Sequence, residues 1–264
     1  LYLERLIMNR FKDKRILITG ASKGLGKSAA IAFEKEGANV ALAARSENEL
    51  SELMKSFFQP EKHLLYPTDL LESDNIEDMS TDIIRQWGGI DVLLHCVGGS
   101  SGVNETLVNW NDFSKCLKAN LGIASELNRL FVPTMKEQGA GNIIHIGSIV
   151  AFESRASVPY NTAKAALSGY VRSLGKELAD HGIIVAGILP GAFYGDGNAM
   201  FRFQYYKPDE YGKYVDSLPQ KRMPHADEYL SMLFLLSDSK SMVMSGSLIS
   251  MDCAQGQSYY NYSS

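Results

Sequence analysis

Seven short apolar runs recur along the chain, at positions 15–19, 39–44, 63–66, 91–96, 142–146, 183–189 and 247–251. Their hydrophobicity is continuous rather than alternating, which predicts strands buried on both faces. Longer amphipathic stretches lie between them, at 25–36, 47–57, 73–87, 110–136, 163–180 and 227–237. Strand and helix in strict alternation with short connections predict right-handed crossovers. The result is an α/β fold, a doubly wound parallel sheet of about seven strands with helices on both faces. No linker or repeat divides it, so 12–264 reads as one domain behind a short leading extension, 1–11. That extension mixes Leu and Ile with Glu4, Arg5 and Arg10, too short and too charged for a signal peptide or a membrane span.

Composition narrows the function classes. With 45% hydrophobic and 21% charged residues, the chain is neither disordered, collagen-like nor a coiled coil. The 26 basic and 30 acidic side chains give a net charge of −4, which speaks against nucleic acid as a partner, and no run reaches the length of a membrane span. Cys96, Cys116 and Cys253 form no CxxC pair. Neither a disulfide framework nor a metal site is expected, and a cytoplasmic location fits.

The first strand runs into Thr19-Gly20-Ala21-Ser22-Lys23-Gly24-Leu25-Gly26, and a helical pattern follows at once. So tight a turn needs residues without a Cβ, and the helix start then offers N–H groups to a pyrophosphate. At the end of the second strand, where a ribose-selecting carboxylate is expected, the chain has Arg45. Together with Lys23 it favours NADP(H), with NAD(H) not excluded because Glu47 lies close by. Asp69, after the third strand, is a candidate for orienting the adenine.

Tyr160 and Lys164 stand four apart at the start of a helical pattern, so they share a face. An ammonium there should lower the phenol pKa. Ser148 follows the fifth strand at its carboxyl end, where open α/β sheets place their ligands.

These motifs, with Lys118-Ala119-Asn120 and Pro190-Gly191, resemble those of the classical short-chain dehydrogenases/reductases over about 12–255. The resemblance implies a single Rossmann-type domain. It implies that Tyr160 is the acid/base, Lys164 tunes it and holds the nicotinamide ribose, Ser148 polarises the carbonyl, and Asn120 anchors a proton-relay water. Gly20, Ser22, Lys23, Gly24, Leu25, Gly26, Arg45, Asp69, Pro190 and Gly191 would join Tyr160 and Lys164 in holding the cofactor, and a homo-oligomer, tetramer or dimer, is expected. The chain departs from the family at His95-Cys96-Val97-Gly98, usually Asn-Asn-Ala-Gly. It departs again at Ala192-Phe193-Tyr194-Gly195, where the family often has a threonine, and at Asp252-Cys253-Ala254, usually Asp-Gly-Gly. His63, His145 and His225 read as structural.

The long connection 192–222 has no clear period and reads as an irregular lid over the nicotinamide. It holds Phe193, Tyr194, Phe201, Phe203, Tyr205, Tyr206, Tyr211 and Tyr214, aromatics that suit a small, ring-shaped, partly polar substrate such as a keto-sugar or polyketide. The expected reaction is interconversion of a carbonyl and a secondary alcohol by hydride transfer. A 3-oxoacyl-carrier-protein reductase is the alternative, weakened by Gln138-Gly139 and Asp180-His181 where docking cations would stand. From another class, a catalytically silent NADP-binding sensor or scaffold would tolerate loss of Ser148, Tyr160 or Lys164, yet all three are present.

Overall fold

The computed structural model describes residues 9–103 and 105–257; positions 1–8 of the expected leading extension lie outside them. Seven strands, β1 (Arg15–Thr19), β2 (Asn39–Ala44), β3 (Leu64–Pro67), β4 (Val92–His95), β5 (Gly141–Ile146), β6 (Ile183–Pro190) and β7 (Leu248–Met251), form one sheet in the order β3-β2-β1-β4-β5-β6-β7. Every pairing is parallel. The order grows outward from β1 to β3 and then reverses across β1 to β4, so a crevice opens beyond the carboxyl ends of β1 and β4.

The helices are α1 (Gly24–Lys35), α2 (Glu47–Lys55), α3 (Ser73–Trp87), α4 (Trp110–Leu117), α5 (Ile123–Gln138), α6 (Val158–Leu178), α7 (Ala199–Tyr206), α8 (Pro208–Ser217) and α9 (Leu230–Leu236). Side chains alternate across each strand and feed two cores. Ile16 and Ile18 meet Leu25, Ala29 and Phe33 of α1 and Leu233 of α9. Leu17 faces the other way, with Ile83 of α3, Phe131 of α5 and Val171 of α6. The packed unit starts before Lys12, because Phe11 is buried, with its ring 4.9 Å from Phe33 and 5.3 Å from Phe234.

Two stretches differ from the sequence reading. The run 110–136 is not one helix: a π-helical turn, Lys118–Gly122, separates α4 from α5. There Asn120 Nδ2 donates to the Cys116 carbonyl at 2.9 Å, inserting a side chain where the ladder widens. The connection 192–222 is not irregular either, since it carries α7 and α8. Neither buries a residue, which erases the apolar period, but local signals were present. The Asn198 side chain caps α7 by accepting from Phe201 N at 2.9 Å, and Pro208 opens α8. Among the described residues no helix is long and apolar enough to cross a membrane.

Candidate active site

The glycines between β1 and α1 are demanded by packing. Gly20 has φ +68°, and a Cβ there would stand 3.1 Å from the carbonyl carbon of Cys96; a Cβ on Gly26 would run into the Gly20 carbonyl. The start of α1 is thereby drawn to the crevice with an extended Lys23 at its cap, no side chain bonding its first N–H groups, and Leu25 buried behind it. That cradle fits the phosphates of a dinucleotide. Ser22 is half-buried in the turn and Arg45 is exposed just past β2. Lys23 Nζ lies 3.0 Å from Glu49 Oε1, so its charge is already engaged. Asp69 closes a turn by accepting from Leu71 N at 3.0 Å, and the N-cap of α3 is Glu72. Pro190 ends β6 opposite Met251, and a Cβ on Gly191 would meet the Gln255 side chain.

Beside this cradle the structure brings Ser148, Tyr160 and Lys164 together. Ser148 follows β5 with extended backbone, and Tyr160 stands in the first turn of α6, which Pro159 helps to start. Lys164 is buried one turn on and donates to the Ile146 carbonyl at 2.8 Å. Burial pushes the Tyr160 phenol up to about 12, against the downward pull of its hydrogen bond with Ser148. This corrects the expectation that the lysine lowers it: Nζ is 5.8 Å from the Tyr160 ring centroid and is turned to Ile146. Lys164 itself is lowered to about 8, because burial outweighs the influence of Cys116 and Cys96.

Asn120 joins this corner from the π-turn. Its amide donates to Gly99 O at 2.8 Å and its Oδ1 accepts from Gly99 N at 3.0 Å, clamping the loop after β4. A Cβ on Gly98 would lie 2.8 Å from Asn120 Oδ1 and 3.2 Å from Lys164 Nζ, so a side chain there would invade both. A void of about 10 Å³, room for the centre of one water, is lined by Asn120, His95, His145 and Ile146. His95 and His145 stack with ring centroids 4.5 Å apart, and His95 Nε2 pairs with Asn128 Oδ1 at 2.9 Å. Burial brings His95 down to about 4 and His145 well below its ordinary value, so both are neutral imidazoles. His63 accepts from Val40 N at 3.0 Å, and His225 caps the turn before α9.

The excursion carrying α7 and α8 is pinned where it leaves and returns. Tyr194 N donates to Pro224 O and Ala226 N to Tyr194 O, both at 2.8 Å. Its first turn rests on the glycine loop, where Gly24 N donates to Asp196 O at 2.8 Å and Lys27 Nζ is 3.5 Å from the Asp196 carboxylate. Most of its aromatics pack on one another; Phe203 lies 5.7 Å from Tyr211 and 6.1 Å from Tyr214, whereas Tyr205 and Tyr206 are exposed. Sequence reasoning missed Gln255. Its side chain accepts from Ala192 N at 2.8 Å and donates to Ala192 O at 2.9 Å, strapping the chain end to the exit of β6.

Comparisons with known proteins agree with this arrangement. The short chain dehydrogenase family matches residues 14–204. An uncharacterized oxidoreductase of Staphylococcus epidermidis is 30% identical over 185 residues, 70% of this chain and 80% of that protein; one of Staphylococcus haemolyticus is 32% identical over 186 residues, with the same coverage. The crystal structure of L-sorbose reductase from Gluconobacter frateurii, complexed with NADPH and L-sorbose, superposes with a TM-score of 0.84 at 26% identity, over 94% of this chain and 98% of that one. Levodione reductase shares the fold, with a TM-score of 0.84 at 22% identity over 93% and 98% of the two chains. The chain is an oxidoreductase that belongs to the short-chain dehydrogenase/reductase family.

Proposed function

We propose that the protein is an NADP(H)-dependent reductase or dehydrogenase that interconverts a carbonyl and a secondary alcohol on a small, ring-shaped, partly polar substrate of the keto-sugar or polyketide kind. One observation carries this reading: Ser148, Tyr160 and buried Lys164 share a corner beside the glycine cradle at the β1/β4 crevice. Gly20, Ser22, Gly24, Leu25 and Gly26 would hold the phosphates, Lys23 and Arg45 would serve the 2′-phosphate, Asp69 the adenine, and Pro190 and Gly191 the nicotinamide. Bound NADPH supplies a hydride equivalent to a carbonyl carbon. The chain's own groups handle the oxygen. Tyr160, held protonated by burial, gives it a proton; the Ser148 hydroxyl bonds the developing oxyanion; Lys164 holds the ribose and returns a proton to Tyr160. Asn120 borders the void that suits the relay water.

The G. frateurii reductase, described with NADPH and L-sorbose, supports both cofactor and substrate class. An assembly of two or four copies belongs to the same reading, supported by Ala165, Ala166 and Gly169, which face solvent on α6 while Ala163 and Ser168 face inward. A cytoplasmic location belongs to the same reading, supported by the free thiols Cys96, Cys116 and Cys253. The test is NADPH oxidation with keto-sugars, cyclic diketones and β-keto thioesters, each repeated with Tyr160→Phe. Turnover of a polar ketone, lost in the variant, is the expected result. Turnover of the thioester alone would make the protein a carrier-protein reductase, and NADPH binding without any turnover would make it a sensor.

A further inference from the structure

The loop between Ser148 and Tyr160, the end of α8 and the chain-end strap enclose a cleft of about 820 Å³ that no step above uses. Its walls include Arg155, Tyr214, Leu218, Pro219, Gln255 and Gly256. Two of its walls continue along the chain or by hydrogen bonds into the elements that carry the candidate catalytic corner. Arg155 stands five residues before Tyr160, and its Nη1 donates at 2.5 Å to the carbonyl of Gln255, the residue whose side chain clamps Ala192 at the exit of β6.

The donors on these walls define what can bind. A guanidinium carries five N–H groups. Nε of Arg155 lies 3.4 Å from Glu153 Oε2 and Nη1 serves Gln255 O, which leaves N–H groups for a ligand. Burial pushes the Tyr214 phenol up against the opposing influence of Arg155, which keeps it a neutral hydroxyl and sets it within electrostatic reach of the guanidinium. The charge of Arg155 is offset by Glu153, whose side chain is 7% exposed and accepts from Gln257 N at 2.5 Å. An anion entering here would meet a carboxylate as well as the cation, so the pair does not attract negative charge. Leu218 and Pro219 supply an apolar face beside these donors. A neutral polyol has both complements, a rim of hydroxyl acceptors and a C–H face.

We propose that this cleft is the distal substrate subsite, in which Arg155 and Tyr214 take the hydroxyl groups of a neutral polyhydroxylated substrate and reject its carboxylate counterpart. The inference rests on the carbonyl-reductase reading, and its experiment separates the two. In the NADPH-loaded enzyme, kcat/KM is measured for L-sorbose, for 5-keto-D-gluconate as the matched acid, and for 2-hexanone as a ketone without hydroxyl groups. L-Sorbose should be the best of the three. Arg155→Met should reduce the preference for L-sorbose over 2-hexanone by roughly tenfold, mainly through KM, as expected for a lost charged hydrogen bond. Tyr214→Phe, which removes one hydroxyl and keeps the ring, should reduce it about threefold, and it serves if Arg155→Met loosens the strap. Calorimetry with sorbitol, which has no carbonyl to reduce, gives a readout independent of turnover. Binding that weakens in both variants supports the subsite even if no ketone is reduced, in which case only the reductase reading fails. A preference for the acid, an unchanged sorbose/hexanone ratio in both variants, or no sorbitol binding at 50 mM-scale concentrations (on the order of a weak, millimolar Kd) overturns it.

Discussion

Lys164 donates to the carbonyl of Ile146 at 2.8 Å, tying the first turns of α6 to the end of β5 two residues before Ser148. One ammonium therefore sets the spacing of the two elements that carry Ser148 and Tyr160. Tyr160→Phe removes the proton donor and keeps the ring, so kcat should fall about 10²- to 10⁴-fold while NADPH binding, followed by fluorescence titration, stays within about twofold. Lys164→Met should lower kcat and also weaken NADPH binding. Unimpaired turnover in the phenylalanine variant would remove Tyr160 from its proposed role.

The pH profile should identify the same lysine. Tyr160 at about 12 remains a phenol through the accessible range, whereas Lys164, lowered by burial to about 8, loses its ammonium as pH rises through that value. For reduction, kcat/KM should be level near neutrality and fall on the alkaline side with a midpoint near 8, since this parameter reports the free enzyme. A flat profile to pH 10 would mean that the ammonium takes no part in the proton path.

The proposed cofactor preference is tested at Arg45 and at an ion pair between residues 26 apart in sequence. Lys23 is held by Glu49 at 3.0 Å, and Arg45 is exposed at the neighbouring strand end. Arg45→Asp should shift the kcat/KM ratio from NADPH towards NADH by roughly 10- to 100-fold, replacing an attractive charge with a repulsive one. Glu49→Gln frees Lys23 and should shift the ratio the other way. Ratios that do not move in either variant would place the 2′-phosphate elsewhere.

What was legible in the chain was the part written in strong local patterns. Every strand end was readable to within one residue. The inner strands β1, β2, β4, β5 and β6 are buried on both faces and leave continuous apolar runs, whereas the edge strands β3 and β7 are only half-buried yet remain apolar. The Gly20–Gly26 turn and Ser148 follow the ends of inner strands, and Tyr160 and Lys164 stand in the first turns of α6. Two kinds of feature were not legible. Helices α7 and α8 lack a buried face, so only Asn198 and Pro208 announce them. Contacts made across long sequence separations leave no period at all: Gln255 on Ala192, Lys23 on Glu49, and the stacking of His95 on His145.

The departure at Asp252-Cys253-Ala254 preserves the backbone that glycines would adopt. Cys253 and Ala254 have φ of +52° and +61°, left-handed values that disfavour a Cβ. Asp252 holds the turn by accepting from Ala254 N at 3.2 Å and Gly256 N at 2.7 Å. Ala254→Gly should relieve strain worth about 1–2 kcal/mol and give back about 0.5–1 kcal/mol in chain entropy. A net gain of about 0.5–1 kcal/mol in urea unfolding is expected. A loss of stability would show that the alanine methyl packs more favourably than its backbone is strained.

The segment from Tyr194 to His225 is fixed at its two ends and weakly held between them, and we propose that it acts as a lid. The paired Tyr194 and Ala226 amides anchor it, while α7 and α8 have no fully buried residue and are joined chiefly by Phe203 against Tyr211 and Tyr214. Segments with so little buried apolar surface open at low free energy. Limited trypsin digestion should therefore cut first at Arg202 or Lys213, since Pro208 shields Lys207, and NADPH with a ketone substrate should slow these cuts. Phe203→Ala removes the ring that joins the two helices, so it should speed cleavage several-fold without changing the melting temperature of the sheet core. Gly195→Ala probes the other end, because a Cβ there would stand 3.0 Å from the Gly24 Cα and would push the excursion off the glycine loop. The KM for NADPH should rise in that variant, with protection by ligands reduced. Cleavage that ignores ligands in the native chain, together with an unaltered cofactor KM in Gly195→Ala, would make the segment a fixed wall of the site.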